Sequence, residues 1–171
     1  MLYNETGYYL QVSGDYAAAL PYYEQALAIR EKVQGAEHPY TAQSLNNLGE
    51  LLRVQGDYEA ARPYYQRALA IREKVLGAEH PDTALSLNNL GALLQAQGEY
   101  EAARPYYERA VAIYRRALGD THPDTITIIL NYLNNLAAAG EQEALFTFLF
   151  QELGLDHPLI QQVIAARQEE E

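Results

Sequence analysis

The sequence predicts an all-α solenoid of about four helix pairs, and three observations carry that prediction. A Gly-acid-Tyr step recurs every 42 residues, at Gly14-Asp15-Tyr16, Gly56-Asp57-Tyr58 and Gly98-Glu99-Tyr100. Residues 39–80 and 81–122 are identical at 28 of 42 positions. Within each period, apolar residues recur at intervals of three and four, the spacing of one helix face.

The second unit shows the logic best. Helix A is predicted over roughly Thr41 to Gln55, with Leu45, Leu48 and Leu52 as its apolar stripe. Gly49 lies beside that stripe, where a glycine costs about 1 kcal/mol relative to alanine, so another helix is expected to approach closely there. Gly91 repeats it one period later. Gly56 ends helix A and Asp57 caps helix B. Along helix B, Tyr58, Ala61, Tyr65 and Ala68 share a face, small residues admitting a neighbour and rings filling the space between. Helix B continues through "LAIREKV" to Gly77, and Pro81 opens the next helix A, where its missing N–H costs nothing. Pro63, like Pro21 and Pro105, falls in the second turn of helix B, and a bend is expected there.

The units read as residues 1–38 with helix A cut short, 39–80, 81–122, a degenerate fourth unit at 123–156, and a closing segment at 157–171. The first unit has Thr6-Gly7 in place of Leu-Gly. The fourth keeps Gly140 but carries Gln142 for tyrosine and a short, Phe-rich helix B, "EALFTFLFQEL". The closing segment reads as an amphipathic helix whose Leu159, Ile160, Val163 and Ile164 cover the last repeat, since a solenoid end otherwise leaves an apolar face in water. The amino terminus reads as a cut from a longer array.

The stretch "LNNLGELLRVQGDYEAARPYYQRALAIREKVLGAEHPDTA" resembles a tetratricopeptide repeat of the long, 42-residue kind, similar to the repeats of kinesin light chains. Leu48, Gly49, Gly56, Tyr58, Ala61, Tyr65 and Ala68 carry the resemblance, which extends over residues 1 to about 153. It implies a right-handed superhelix with a concave groove lined by one face of each helix A. Nearly identical repeats of this length also resemble the carboxy-terminal sensor region of bacterial STAND-class signalling ATPases, which implies excision from a larger signalling protein.

Composition narrows the function. Apolar residues make up 49%, enough to bury a core. The net charge of −11, from 12 Lys and Arg against 23 Asp and Glu, argues against nucleic acid and anionic membrane, which both require a basic surface. There is no cysteine, and no basic-then-apolar leader or spanning segment is visible. A cytoplasmic protein is expected.

Glu79, His80 and Asp82 cluster as metal ligands or acid/base groups do. Tyr40 replaces Asp82 in one copy and Thr121 replaces Glu79 in another, so the set is not kept from repeat to repeat. Here the residues read as a helix start, with Asp82 at the positive end of the helix dipole. There is no phosphate loop, nucleophile elbow or paired histidine on one helix face, so no enzyme, metal or cofactor is expected.

The asparagines are more informative. Gln43, Asn47, Glu50 and Val54 form a stripe away from the leucines. Its equivalents are Leu85, Asn89, Ala92 and Ala96, then Thr127, Asn131, Asn134 and Ala138, with Met1, Glu5, Tyr8 and Val12 in the first unit. The resemblance places this face in the groove. An Asn amide offers both a donor and an acceptor to a peptide backbone, so Asn47, Asn89 and Asn131 form a candidate ladder; alternatively the amides bond neighbouring helices or simply face water. Asn46 and Asn88 fall nearer the groove edge, in packing roles. These helix-A stripes contain Glu5 and Glu50 but no Lys or Arg, with Arg53 at the side, so a strongly acidic ligand is not expected. The function expected is protein–protein interaction through the groove; the alternative is a scaffold that associates with copies of itself through its repeat ends.

Overall fold

The computed structural model describes residues 2–154, 156–157 and 160–161. Its helices are α1 (Leu2–Val12), α2 (Tyr16–Gln34), α3 (Pro39–Val54), α4 (Tyr58–Leu76), α5 (Pro81–Ala96), α6 (Tyr100–Leu118), α7 (Pro123–Ala138) and α8 (Gln142–Thr147), the last running on into a π-helical segment, Phe148–Leu153. There is no strand among the described residues. Each odd helix packs against the even helix that follows, and each even helix against the next odd one. The odd helices also touch one another, α3 with α5 and α5 with α7. A row of A helices in mutual contact is the inner side of a solenoid.

The contact inside each pair answers the glycine question. The Tyr65 ring of α4 lies flat on Gly49 of α3, where an added Cβ would stand 2.9 Å from two ring carbons. Tyr107 on Gly91 and Tyr23 on Gly7 repeat it at 3.1 and 3.0 Å, so the first pair keeps the contact despite its Thr6. Tyr65, Ala61 and Ala68 are fully buried: Leu52 packs with Tyr65 and Ala61 and Leu45 with Ala68, while the buried Leu48 and Leu51 pack with Ala19 and Tyr23 of α2. Burying one such large apolar side chain stabilises by about 2 kcal/mol.

The turns follow the sequence. Gly56 (φ 83°) and Gly77 (φ 97°) take left-handed conformations that end α3 and α4. The Asp57 carboxylate accepts from the Ala60 N–H at 3.2 Å, capping α4. Pro21, Pro63 and Pro105 sit inside α2, α4 and α6, each of which continues as one 19-residue helix.

Polar bridges tie successive pairs together. Arg67 of α4 meets Glu31 of α2 at 2.6 Å, and Arg109 of α6 meets Glu73 of α4 at 2.8 Å. Lys74 reaches Glu37 and Arg116 reaches Glu79, at 2.7 and 2.6 Å.

The fourth pair departs because its register lacks glycine. Leu133 stands where Gly49 and Gly91 do, so a tyrosine from the second helix has no place to lie. The ring comes instead from α7: Tyr132 meets Phe148 edge-on, with centroids 5.2 Å apart. Beyond it, the His157 ring nitrogen Nε2 lies 3.2 Å from the Asp120 carbonyl, and Ile160 is buried. Leu159, Val163 and Ile164, expected to seal the array, lie outside the described residues.

Candidate functional site

The A helices place their polar stripe on an open cleft of about 700 Å³. Asn47, Asn89 and Asn131 all line it. So do Gln43, Glu50, Leu85 and Ala92. Tyr8 lines a neighbouring cleft of about 500 Å³ that shares Asn47 and Glu50 with the first. Asn134 is exposed and lies outside both clefts, and Met1 is not among the described residues.

The amides are not equally available. The Asn131 amide donates to Asn88 Oδ1 at 3.0 Å, so this rung is bonded to the neighbouring helix. Asn89 accepts only a long contact of 3.5 Å from Asn88. The Asn47 side-chain amide makes no hydrogen bond among the described residues and is half-buried at the cleft wall. Asn46 and Asn88, read from sequence as edge residues, line the cleft too. Asn46 donates to the Ser86 hydroxyl at 3.2 Å, while its Oδ1 is buried without a donor.

Two further groups come from outside the helix-A stripes. The first is the set of tyrosine hydroxyls. Each ring that crosses a glycine carries its O–H through to the inner face. Tyr65 donates to Glu50 at 2.9 Å, Tyr107 to Gln95 at 2.9 Å and Tyr23 to Gln11 at 2.8 Å. Burial, reinforced by the Glu50 charge, pushes the Tyr65 hydroxyl well above its ordinary pKa, so it stays a donor. Glu50 also takes both prongs of Arg53, at 2.7 and 2.9 Å, which raises the Arg53 pKa and cancels the charge of both at the wall.

The second group is Arg72, from the inner face of α4. It lines the cleft and is only 5% exposed. The expected cleft without basic residues is therefore corrected: a stripe taken from helix A alone does not include a long side chain that helix B sends between α3 and α5. Arg72 Nη1 donates to the Asp82 carbonyl at 2.8 Å and to Ser86 Oγ at 3.1 Å. Burial lowers its pKa, against the attraction of Asp82.

The clustered motif at the repeat boundary has a different use. His38, His80 and His122 each accept the backbone N–H two residues on through Nδ1, at 3.2, 3.1 and 3.2 Å, and so cap α3, α5 and α7. Glu37 and Glu79 are engaged by Lys74 and Arg116.

A row of helix pairs with a polar inner cleft defines an α-helical repeat protein of the interaction or scaffolding class. The tetratricopeptide repeat model matches residues 1–74, 45–116 and 82–144, and the chain belongs to that family. Such repeats mediate protein–protein interaction or scaffolding. Among solved structures, the TPR-like repeats assigned to a kinesin light chain in Podosopora anserina are similar, with 26% identity and a TM-score of 0.80 over 88% of this chain and 72% of that one. A single-substitution variant of that protein gives 26% identity and 0.76 over 98% and 87%. BtubC (BKLC) from P. vanneervenii shares the fold, with 24% identity and a TM-score of 0.78 over 97% of this chain. The chain spans 63% of the length of BtubC. No curated protein matches the chain. No helix among the described residues is long and apolar enough to cross a membrane.

Proposed function

We propose that the chain is a protein-binding module that holds an extended peptide segment in its concave cleft, and that it serves within a larger signalling protein. The observation that carries this is the unbonded Asn47 amide, with Asn89 beside it, on the wall of a cleft open enough for a backbone. The role is binding, not catalysis. Glu50 is neutralised by Arg53, but Glu5 lines the neighbouring cleft and the chain carries a net charge of −11, so a segment of high negative charge is repelled by the chain as a whole.

The test is selection of a displayed random-peptide library on the chain, followed by calorimetry with the Asn47→Ala/Asn89→Ala variant. Each lost hydrogen bond to ligand is worth about 0.5–1.5 kcal/mol, so binding should weaken roughly five- to a hundred-fold. Melting should be unchanged or slightly higher, since alanine is the better helix former. A lowered melting temperature with unchanged affinity would make the amides structural and send the search to the outer tyrosines, Tyr22, Tyr64 and Tyr106.

A second reading has its own observation. Tyr3 and Tyr9 are 39% and 75% exposed, whereas Leu45 and Leu51, their equivalents one repeat later, are buried. That face of α1 fits self-association, and light scattering across a concentration series decides it: a constant monomer mass excludes the scaffold.

A further inference from the structure

The first repeat breaks the amide ladder. Glu5 stands where Asn47, Asn89 and Asn131 stand in the later repeats, and Tyr8 stands where Glu50, Ala92 and Asn134 do. Both line the smaller cleft of about 500 Å³, which meets the larger one along Asn47 and Glu50. A segment laid on the asparagine rungs therefore runs on into this cleft at its first-repeat end.

Glu5 is the uncompensated charge there. Its helix carries no Lys or Arg, and Glu5 has no ion-pair partner among the described residues. Glu50 is different: Arg53, three residues on, takes both its oxygens, and Arg53 lines only the larger cleft. Three and four residues on from Glu5 stand Tyr8 and Tyr9, so rings hold the places from which an arginine would neutralise it. These rings meet edge to face, with centroids 6.5 Å apart and planes at 64°. Both line the cleft and are exposed. A carboxylate beside aromatic rings attracts a cation by its charge and by the ring quadrupoles.

Asn4 adds an acceptor on the same wall. Its amide makes no hydrogen bond among the described residues, and its Oδ1 is buried without a donor. An N–H from a ligand removes that cost. The Tyr23 hydroxyl, which also lines the cleft, is already engaged by Gln11.

We propose that Glu5, Tyr8, Tyr9 and Asn4 form a subsite for one ammonium or guanidinium group of the bound segment. This rests on the peptide-groove reading and deepens it: the segment carries a positive charge at a fixed register, over the first repeat, as a basic side chain or as its own amino terminus. The later repeats place a neutral asparagine at the position of Glu5 and no ring at that of Tyr8, so the array holds one such subsite.

Tyrosine ring resonances report it directly. The ring-labelled wild-type chain is titrated at constant ionic strength with N-acetyl-lysine methylamide, which offers a side-chain ammonium, and with alanine methylamide, which offers a terminal one. N-acetyl-norleucine methylamide and N-acetyl-alanine methylamide are the neutral controls. The Tyr8 signal, assigned by its loss in Tyr8→Phe, should shift saturably in the millimolar range with a cation and not with its control, and the stronger probe names the source. Glu5→Gln should abolish the shift, whereas Glu24→Gln, which removes the same charge from outside the cleft, should leave it unchanged. Selected peptides should lose binding roughly five- to thirty-fold when that cation is replaced by a neutral group. No saturable shift, equal shifts with the neutral controls, or a shift that survives Glu5→Gln overturns the subsite and leaves the groove reading standing. A cation shift without any peptide selected upholds the subsite and overturns the groove reading. The wild-type titration does not depend on a variant that folds.

Discussion

A methyl group at Gly49 would press on the Tyr65 ring at 2.9 Å, and the ring has no room to retreat because Tyr65 is fully buried. Two effects oppose each other. Alanine favours the helix by about 1 kcal/mol, while overpacking a full core costs about 1–3 kcal/mol. We expect Gly49→Ala to destabilise by about 1 kcal/mol net in denaturant titration, and Gly91→Ala, at 3.1 Å, by less. A more stable Gly49→Ala protein would mean the ring moves freely. The sequence made this contact legible because a mid-helix glycine has a cost and so points to a cause. It did not make the hydroxyls legible: a helix wheel shows which side a tyrosine faces, not where its far end emerges. Arg72 was hidden for the same reason, its head group standing far from its own helix.

Helix starts were legible as punctuation, but the chemistry of the cap was not. His-Pro recurs at every boundary, and the structure shows the imidazole Nδ1 taking the part that Ser or Asp usually plays. His80→Ala should therefore cost about 1 kcal/mol in thermal melts, whereas His80→Asn, which keeps an acceptor, should recover most of it. Added zinc should leave the wild-type melting temperature unchanged; a saturable rise abolished by His80→Ala would restore the metal reading. The α6–α7 turn has its own pH signature. Arg115 donates to Asp120 at 2.8 and 3.0 Å, which holds the Asp120 carboxyl below its ordinary pKa. A depressed carboxylate contributes stability above its unfolded pKa and loses it as pH falls through the folded value. The group is largely solvated, so the contribution is on the order of 0.5 kcal/mol. Asp120→Asn should flatten that part of the acid slope, and an identical slope in the variant would assign the acid sensitivity elsewhere. The fourth pair was legible only as degenerate, from Gln142 in place of tyrosine and its short, Phe-rich second helix; that Leu133 replaces the contact glycine and that the ring switches to α7 came from the structure.

Across the whole molecule, the same period writes two rails. Inside, the A helices touch. Outside, arginines of each B helix reach the acid of the B helix before it, at Arg67–Glu31 and Arg109–Glu73. The period was legible because 28 of 42 residues repeat; the rail was not, because its partners lie in different repeats, far apart in sequence, and either could have turned to water. In a solenoid, stability is the sum of each repeat and its interfaces with immediate neighbours, so a fault at one interface acts locally. Glu73→Arg sets two like charges together at the junction of the second and third pairs. The side chains are 37–39% exposed, so the cost is modest, about 1 kcal/mol. Glu73→Arg with Arg109→Glu should recover most of it, and a double-mutant cycle isolates the pair. Hydrogen exchange locates the fault: the amides of α4 and α6 should lose protection while those of α2 do not. Salt should weaken the single reversal's effect, because repulsion between exposed charges is screened over about 10 Å at 0.1 M. A reversal that slows or speeds exchange equally along α2, α4 and α6 would show the pairs unfolding as one unit, and the outer rail would then be ornamental to the array's cohesion.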